Sequence, residues 1–294
     1  MWGDIAIAFL LAFITAFVIT PYTIRLAKKV GAVDIPNDRR VNKKPMPRLG
    51  GLAVIAGFLV SVIYLVISAS IEGTINLSED GLNIKLLGIL GGMLVLGIVC
   101  YIDDVKDIKP LVKLAGQVTA AIIVASSGVL IDNFTIPFKE NSVVLNEVFS
   151  FILTVGWIIG ITNAINLIDG LDGLSSGITL ISCLSLVVVF ALNESPLIAI
   201  ILITALAGAI VGFLPYNFNP AKTFIGDVGS NFMGFALAII SILGVAKTYT
   251  AIVLIAPIMI LALPIFDTIW AIIRRIIKSK SIKGVFKADR GHLH

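Results

Sequence analysis

The chain has 294 residues, of which 58% are hydrophobic and only 14% are charged. Its mean hydropathy is +1.04, and apolar runs of about 20 residues, each long enough to cross a ~30 Å hydrocarbon core, recur along its whole length. This composition excludes a soluble domain and predicts an all-α, polytopic integral membrane protein. The isoelectric point near 9.0 reflects basic loops, which are ordinary in membrane proteins and do not indicate nucleic-acid binding.

Apolar segments separated by polar loops predict nine membrane-spanning helices in one transmembrane domain, residues 1–294. They are residues 3–24, 50–70, 84–102, 112–131, 148–165, 175–193, 197–214, 230–246 and 251–272. The first has no basic n-region or small-residue cleavage site, so we do not expect a removable signal peptide. Cys100 and Cys183 both fall in apolar spans and are expected to be packing residues rather than a disulfide or metal pair.

The loops between these spans form two sets of unequal charge. Of the 22 Lys and Arg residues, all but Lys85, Lys139 and Lys247 lie in or next to one set, which the positive-inside rule makes cytoplasmic with the N-terminus outside. The cytoplasmic set comprises residues 25–49, 103–111, 166–174, 215–229 and the tail 273–294. Every glutamate lies on the outer side, where the loop 132–147 also predicts a small hairpin. The cytoplasmic carboxylates are all aspartates, which suits a constrained metal or phosphate site.

The first cytoplasmic loop contains Pro-Met-Pro-Arg-Leu-Gly-Gly, residues 45–51. Its prolines and paired glycines predict a shaped loop rather than a helix. Arg39, Arg40 and Arg48 could grip phosphates bidentately. The alternative is that these charges only set the topology or attract anionic lipid.

The third span ends in adjacent carboxylates, Asp103 and Asp104, and is followed by Lys113-Leu-x-x-Gln117. Two carboxylates ~4 Å apart repel by roughly 4 kcal/mol at an effective dielectric near 20. A divalent cation or a cationic side chain would relieve this repulsion. The alternative is a solvated helix end with the two side chains pointing apart.

Between two apolar segments lies a stretch that is polar at every third position: Asn163, Asn166, Asp169 and Asp172. A three-residue step on a regular α-helix turns the side chain back by about 60°, so the four can share one wall only if the helix tightens or breaks near the following glycines. Carboxylates are costly at the centre of a bilayer. We therefore expect this stretch at a membrane edge or along a wet cavity; the alternative is a polar loop that caps two helices.

The loop after the seventh span contains Phe224-Ile-Gly226-Asp227-Val-Gly-Ser. A glycine-rich start to the eighth helix is a candidate anion site, and Asp227 beside it could hold a metal that bridges to phosphate. Phe224 could stack on a base or simply pack.

The tail ends in Asp-x-x-His-Leu-His and contains Arg290, His292 and His294. His292 and His294 are the chain's two histidines, and they lie on the predicted side that carries the other polar motifs. We expect them to serve the site; the alternative is a tag or a frayed end.

Together these motifs resemble the polyprenyl-phosphate N-acetylhexosamine-1-phosphate transferase family. They are Asp-x-Pro-Asn-x-Arg-Arg with Pro-x-Pro-Arg-Leu-Gly-Gly, Asp-Asp with Lys-Leu-x-x-Gln, Asn-Ala-x-Asn-Leu-x-Asp-Gly-x-Asp-Gly-Leu, Phe-x-Gly-Asp-x-Gly-Ser, and Asp-x-x-His-Leu-His. All occur in family order from residue 34 onwards. The first loop and the tail look like the branch that uses UDP-N-acetylglucosamine. The Thr-Pro-Thr-x-Gly-Gly type of segment, which marks the peptidoglycan branch, is absent from the sequence.

The resemblance departs from the family in two places. Asn42 stands in the region where family members often have a histidine, and we expect little consequence. The family also continues past its histidine motif with at least one more span, so we expect that this chain is a truncated form.

The resemblance implies a phosphoglycosyltransferase of the bacterial cytoplasmic membrane, with its active site on the cytoplasmic face. It would transfer N-acetylglucosamine-1-phosphate from UDP-N-acetylglucosamine to undecaprenyl phosphate, release UMP, and so initiate a glycan such as teichoic acid or O-antigen; a homodimer is possible. Asn166 and Asp227 would ligate Mg²⁺ (Mn²⁺ is possible). Asp103 or Asp104 would act on the lipid phosphate, and Asp172 and Phe224 would contact the uracil. Phosphate or sugar oxygens would be held by Lys113 and by the loop of Arg290, His292 and His294. Further substrate-binding residues would be Asn163, Asp169 and Arg48.

Three other hypotheses compete with this one. A phospho-N-acetylmuramoyl-pentapeptide transferase is the alternative within the family. An ion-coupled carrier also builds sites from carboxylates and broken helices, but its carboxylates are expected at the midplane and the two halves of this sequence show no inverted repeat. A lipid-binding scaffold without chemistry is the third.

Overall fold

The computed structural model describes residues 2–36, 44–73, 81–135 and 142–245, together with the single positions 266, 269, 270, 273 and 274. Eight predicted spans are each confirmed as a helix. In chain order these are α1 Trp2–Val30, α2 Gly51–Ile71, α3 Leu82–Lys106, α4 Pro110–Ser126, α5 Glu147–Ile168, α6 Leu174–Leu192, α7 Leu197–Asn217 and α8 Gly226–Val245. The ninth predicted span, 251–272, lies outside the described residues apart from positions 266, 269 and 270, and so do Arg290, His292 and His294.

Among the described residues, seven helices are long and apolar enough to cross a membrane, so the prediction of a polytopic helical membrane protein is confirmed. The remaining helix, α4, has 17 residues and extends only about 26 Å at 1.5 Å per residue. The predicted span 112–131 is therefore too long at its C-terminal end. The helix ends because Ser127 and Gly128 form a turn in which Gly128 has a φ of +91°, a conformation that glycine adopts without strain.

Helix α8 lies at the centre of the bundle and is almost wholly buried; α2, α3, α5, α6 and α7 pack around it. Helix α1 packs against α2 and α7. A Cβ on Gly208 or Gly212 of α7 would lie 2.4 or 2.3 Å from the backbone oxygens of Phe9 and Phe13 in α1. This small-xxx-small spacing lets two membrane helices approach closely, where packing rather than hydrophobicity holds helices together.

Two short antiparallel strand pairs connect helices. Strands β1 (Val33–Asp34) and β2 (Met46–Pro47) close the base of the first loop and lead into α2. Strands β3 (Asn133–Thr135) and β4 (Ser142–Val144) form the hairpin predicted between the fourth and fifth spans. The first pair leads into the segment of residues 47–51, which contacts the end of α3 and the start of α8.

Candidate active site

The first loop and the start of α8 are joined through their backbones. The N–H of Phe224 donates to the carbonyl oxygen of Pro47 (2.8 Å), and the N–H groups of Gly50 and Gly51 donate to the carbonyl oxygens of Phe224 (3.1 Å) and Ile225 (2.8 Å). A Cβ on Gly51 would lie 2.1 Å from the Cα of Gly229. Only glycine permits this approach, and so the two glycine-bearing motifs predicted to belong to one site are in direct contact.

Asp104 lies against the N-terminus of α8. Its Oδ1 accepts a hydrogen bond from the N–H of Asp227 (3.0 Å), and its Oδ2 accepts one from the N–H of Val228 (2.9 Å). The residue is 1% exposed. The sequence predicts an anion site at this helix start, and the group held there is a carboxyl group of the protein itself. A sequence cannot show this, because the partner lies 123 residues away along the chain.

Arg48 holds the end of α3. Its Nε donates to the backbone oxygen of Asp104 (2.9 Å), and its Nη2 donates to the backbone oxygen of Asp103 (3.3 Å) and to Oδ1 of Asp107 (2.6 Å). Burial acts to lower the pKa of Arg48, but the hydrogen bond to Asp107 and the nearby carboxylate charges outweigh it, so the pKa lies above its usual value. The guanidinium is engaged by the protein, and its predicted contact with a phosphate stays a prediction.

Three oxygen-bearing side chains converge on the ammonium of Lys113, which lies in the first turn of α4. The Nζ is 3.3 Å from Oδ2 of Asp103 and donates to Oδ1 of Asn166 (3.2 Å) and to Oδ1 of Asp227. These four residues come from α3, α4, α5 and α8, and the side chain of Asp227 is 30% exposed. The bundle therefore places a cation and its oxygen partners together where outside molecules can reach them.

Asn166 and Asp227 are suited to the metal site predicted for them. Asn166 donates from Nδ2 to Oδ1 of Asp227 (2.8 Å) and to Oγ of Ser230 (2.8 Å), which fixes its orientation. Mg²⁺ takes oxygen ligands, and proteins commonly supply one or two carboxylates while substrate phosphates and water supply the rest. Within the described part of the chain, no group of three or more His, Cys, Asp or Glu residues could hold a metal by itself. The donor set therefore fits a Mg²⁺ ion that a phosphate-bearing substrate helps to hold.

A layer of buried amides lies one helical turn from Lys113 and Asp227. Gln117 donates from Nε2 to Oδ1 of Asn231 (2.7 Å), and Asn163 donates from Nδ2 to Oε1 of Gln117 (2.7 Å). Asn231 in turn donates from Nδ2 to the backbone oxygen of Asp227 (2.8 Å). Sequence reasoning missed Asn231, although the four-residue spacing from Asp227 matches that from Lys113 to Gln117. Asn163, predicted to bind substrate, is engaged by this layer and by the backbone of its own helix.

Of the two arrangements that the spacing of the polar stretch allows, the structure shows a helix break, since α5 ends at Ile168 and a turn precedes α6. The four polar residues of this stretch nevertheless have different partners. Asp169 accepts a hydrogen bond from Oγ of Ser175 (2.7 Å), and burial raises the pKa of Asp169 to about 7 although that hydrogen bond acts to lower it. Oδ2 of Asp172 accepts from Nδ2 of Asn219 and from the N–H of Ala221, both at 3.0 Å. The predicted roles of Asp169 in substrate binding and of Asp172 at the uracil stay predictions.

Two aromatic side chains flank the segment that leads into α8. Phe224, predicted to stack on a base, is half-buried, and its backbone lies in the pairing with the first loop. Phe218, at the end of α7, is 65% exposed and was not singled out from the sequence. It lies against Gly173, next to Asp172 in the chain, and is a second candidate stacking surface.

The fold and this cluster define a polytopic helical membrane protein with a cluster of charged and amide side chains at one end of its helices. Residues 86–245, more than half of the chain, match the model of glycosyl transferase family 4. The chain belongs to this family, and the family predicted from the motifs is confirmed.

Curated relatives agree with the family match. A protein of Bacillus subtilis (strain 168), named a probable undecaprenyl-phosphate N-acetylglucosaminyl 1-phosphate transferase, is 40% identical over 99% of this chain and 76% of its own length. A decaprenyl-phosphate N-acetylglucosaminephosphotransferase of Mycobacterium tuberculosis (strain CDC 1551 / Oshkosh) is 33% identical over 96% of this chain and 72% of its own length. A phospho-N-acetylmuramoyl-pentapeptide-transferase of Streptococcus agalactiae serotype III (strain NEM316) is 31% identical over 79% of this chain and 70% of its own length. All three names denote transferases, and the protein is an enzyme of this class.

Proposed function

We propose that this protein transfers N-acetylglucosamine-1-phosphate from UDP-N-acetylglucosamine to undecaprenyl phosphate and releases UMP. The observation that carries the proposal is the convergence of Asp103, Asn166 and Asp227 on the ammonium of Lys113 at one end of an apolar helical bundle. The names of the Bacillus and Mycobacterium relatives support both the polyprenyl phosphate acceptor and the sugar. The product would initiate a lipid-linked cell-envelope glycan such as teichoic acid or O-antigen.

In the proposed reaction an oxygen of the lipid phosphate attacks the β-phosphorus of the UDP-sugar. A P–O bond forms there, the bond from the β-phosphorus to the bridging oxygen breaks, and UMP leaves with that oxygen. Both reactants are anions, so positioning and neutralisation of charge supply most of the catalysis in transfers of this kind. A site at the end of membrane-spanning helices allows a lipid-anchored phosphate and a water-soluble nucleotide to meet.

The side chains of the cluster divide this work. Lys113 would turn its ammonium from the carboxylates to the diphosphate oxygens, where it offsets the charge that develops on the leaving group. Asp103, which already contacts Lys113, would accept a proton from the lipid phosphate or orient it. Asn166 and Asp227 would hold Mg²⁺, which supplies further positive charge at the diphosphate; Mn²⁺ would serve in its place.

The site is proposed to face the cytoplasm, with the N-terminus outside. The asymmetry of Lys and Arg between the two sets of loops supports this orientation. The nucleotide-sugar would then reach the site from the cytoplasm of a bacterial cell.

The test is UMP release by the purified protein with undecaprenyl phosphate and Mg²⁺, with different UDP-sugars offered in parallel. We expect release with UDP-N-acetylglucosamine and very little with UDP-N-acetylmuramoyl-pentapeptide; the reverse preference would identify the peptidoglycan reaction instead. The matched control is Asp227→Asn, which changes one atom of the cluster. Uptake of a solute into vesicles without UMP release would favour a carrier.

A further inference from the structure

The adjacent carboxylates at the end of α3 have different partners. Asp103 contacts Lys113 through Oδ2 (3.3 Å) and accepts the N–H of Ile108 on Oδ1 (3.0 Å). Both oxygens of Asp104 are instead taken by backbone N–H groups at the start of α8, and its side chain is fully buried. Of the two carboxylates, Asp103 is the one that contacts the ammonium of Lys113.

The start of α8 needs an acceptor from elsewhere in the chain. The first N–H groups of a helix have no partner within it and are usually capped by a Ser, Thr, Asp or Asn just before the helix. Here the preceding residues are Phe224 and Ile225, and the helix begins at Gly226, so no side chain of this segment can serve. Asp104 supplies the cap from another helix, and its negative charge also suits the positive end of the helix dipole.

The cap acts on Asp227 directly. One of the two capped N–H groups is that of Asp227, whose side chain meets Lys113 and Asn166. A Cβ on Gly226 would lie 1.9 Å from the backbone oxygen of Arg48 and 2.8 Å from Oδ2 of Asp104. The helix start is therefore fitted closely around the cap, and a shift of Asp104 would move Asp227.

We infer that Asp104 is a positioning residue: it holds the first turn of α8, and with it the carboxylate of Asp227, in register with Lys113. Asp103 is then the carboxylate of the pair that contacts the substrate. Arg48 helps to position Asp104. It donates to the backbone oxygens of Asp103 and Asp104 near the end of α3, and its Nε lies 3.6 Å from Oδ1 of Asp104. This inference rests on the proposed function for the identity of the reaction, but not for the geometry of the cap.

The decisive comparison uses two substitutions at one position. Asp104→Asn removes the acid but keeps a carbonyl acceptor for the helix, whereas Asp104→Leu removes both. A positioning role predicts that Asp104→Asn loses about tenfold in turnover, the scale of one neutral hydrogen bond, and that Asp104→Leu loses far more. If Asp104 were instead a proton acceptor, both variants should lose roughly 10²–10⁴-fold in turnover. That is the loss in turnover expected here for Asp103→Asn. The Mg²⁺ concentration for half-maximal rate should rise in Asp104→Asn and stay unchanged in Asp103→Asn.

A second measurement needs no substrate and covers the case in which Asp104→Leu fails to fold. Hydrogen exchange of the backbone amides of Asp227 and Val228, followed by mass spectrometry, should speed up in Asp104→Asn but not in Asp103→Asn. Wild-type exchange at these amides, together with equal inactivity of Asp104→Asn and Asp103→Asn, would overturn the inference. If the wild-type protein releases no UMP from any donor, the proposed function fails, and the exchange measurement still decides the role of Asp104.

Discussion

Gln117 of α4 donates a 2.7 Å hydrogen bond to Oδ1 of Asn231 of α8, one helical turn from the ion pair that Lys113 and Asp227 form between the same helices. Asn231 is fully buried, and Gln117 nearly so. Buried amides are stable only when their hydrogen bonds are made, and so such a pair specifies how two helices are aligned. The amide layer supports the charged cluster from within the bundle.

Replacement of Gln117 by Leu should destabilise the protein. The change leaves the buried Oδ1 of Asn231 without its donor and Nδ2 of Asn163 without one of its acceptors. One unsatisfied buried polar group costs about 1–3 kcal/mol. Thermal unfolding in detergent measures the effect. Thr119→Val, on the exposed side of the same helix, is the matched control. Equal midpoints for the two variants would mean that the amide layer contributes nothing to the alignment of the helices.

Lys113 and a divalent cation should compete for the same oxygens. The ammonium contacts the side-chain oxygens of Asn166 and Asp227 that would ligate the metal. Without substrate, Lys113→Gln should therefore bind Mn²⁺ at least as tightly as the wild type, although its turnover falls sharply. Asp227→Asn should bind Mn²⁺ about tenfold more weakly or worse, since a charged partner is worth roughly 1.5–3 kcal/mol.

Electron paramagnetic resonance of free Mn²⁺ gives these affinities directly. Glu147→Gln removes a carboxylate from an exposed position at the other end of α5 and serves as the control. Wild-type Mn²⁺ binding by Asp227→Asn would show that the metal site lies elsewhere.

Two phenylalanines can be compared as stacking surfaces for uracil. Phe224→Ala should weaken the binding of the UDP-sugar by about 1–3 kcal/mol, the scale of base–aromatic stacking, and leave the binding of the lipid phosphate unchanged. Phe218→Ala, at the more exposed position, tests the competing surface. Calorimetric titration with UDP measures both. If only Phe218→Ala weakens UDP binding, the uracil stacks on Phe218, and equal losses for nucleotide and lipid would assign Phe224 to packing.

Asp169 should make stability depend on pH. Its pKa is about 7 in the folded protein because of burial, against about 3.9 in an unfolded chain. Between these values the folded state holds a proton that the unfolded state has lost, so stability falls as pH rises from about 4 to about 7 and levels off above. Asp169→Asn should remove this part of the pH dependence of stability. The stability of the variant relative to the wild type should therefore increase from about pH 4 to about pH 7.

Unfolding midpoints in detergent at pH 5, 6, 7 and 8 test this expectation. In Ser175→Ala the stability should continue to decrease to a higher pH than in the wild type. The reason is that the Ser175 hydrogen bond acts to lower the pKa of Asp169. Parallel curves for wild type and Asp169→Asn would contradict the prediction.

The proposed orientation predicts which positions an impermeant thiol reagent reaches in intact cells. In a background with Cys100 and Cys183 replaced by Ala, a cysteine in place of Glu72 should be labelled. A cysteine in place of Lys109 should react only after the membrane is permeabilised. Both positions are exposed, so access depends on the side of the membrane alone. Labelling of position 109 from outside would reverse the orientation and remove the nucleotide from the proposed site.

Hydropathy alone located eight described helices, because a backbone inside a bilayer must satisfy its own hydrogen bonds and long apolar helices are the simplest way to do so. The motif residues Asp103, Lys113, Asn166 and Asp227 could be recognised because charged side chains are costly in hydrocarbon, so that polar clusters beside apolar spans indicate a membrane edge or a wet cavity. The break after Ile168 followed from local chemistry, since Gly170 and Gly173 follow it closely. These features depend on single segments and on the solvent around them.

The partner of each polar group depended on how the helices pack. Helix α7 is apolar on all sides and carries little periodicity that would fix its rotation. Asp227 and Asn231 mark a polar side of α8, but the sequence does not show which helices meet that side, and so it could not show that Asp104 caps α8 or that Asn231 meets Gln117. Arg48 and Asp172, whose residue types suit phosphate and uracil, are instead engaged by the protein's own backbone and side chains. Such pairings join positions far apart in the chain, and they form only when close contacts such as Gly51 on Gly229 set the helices in place.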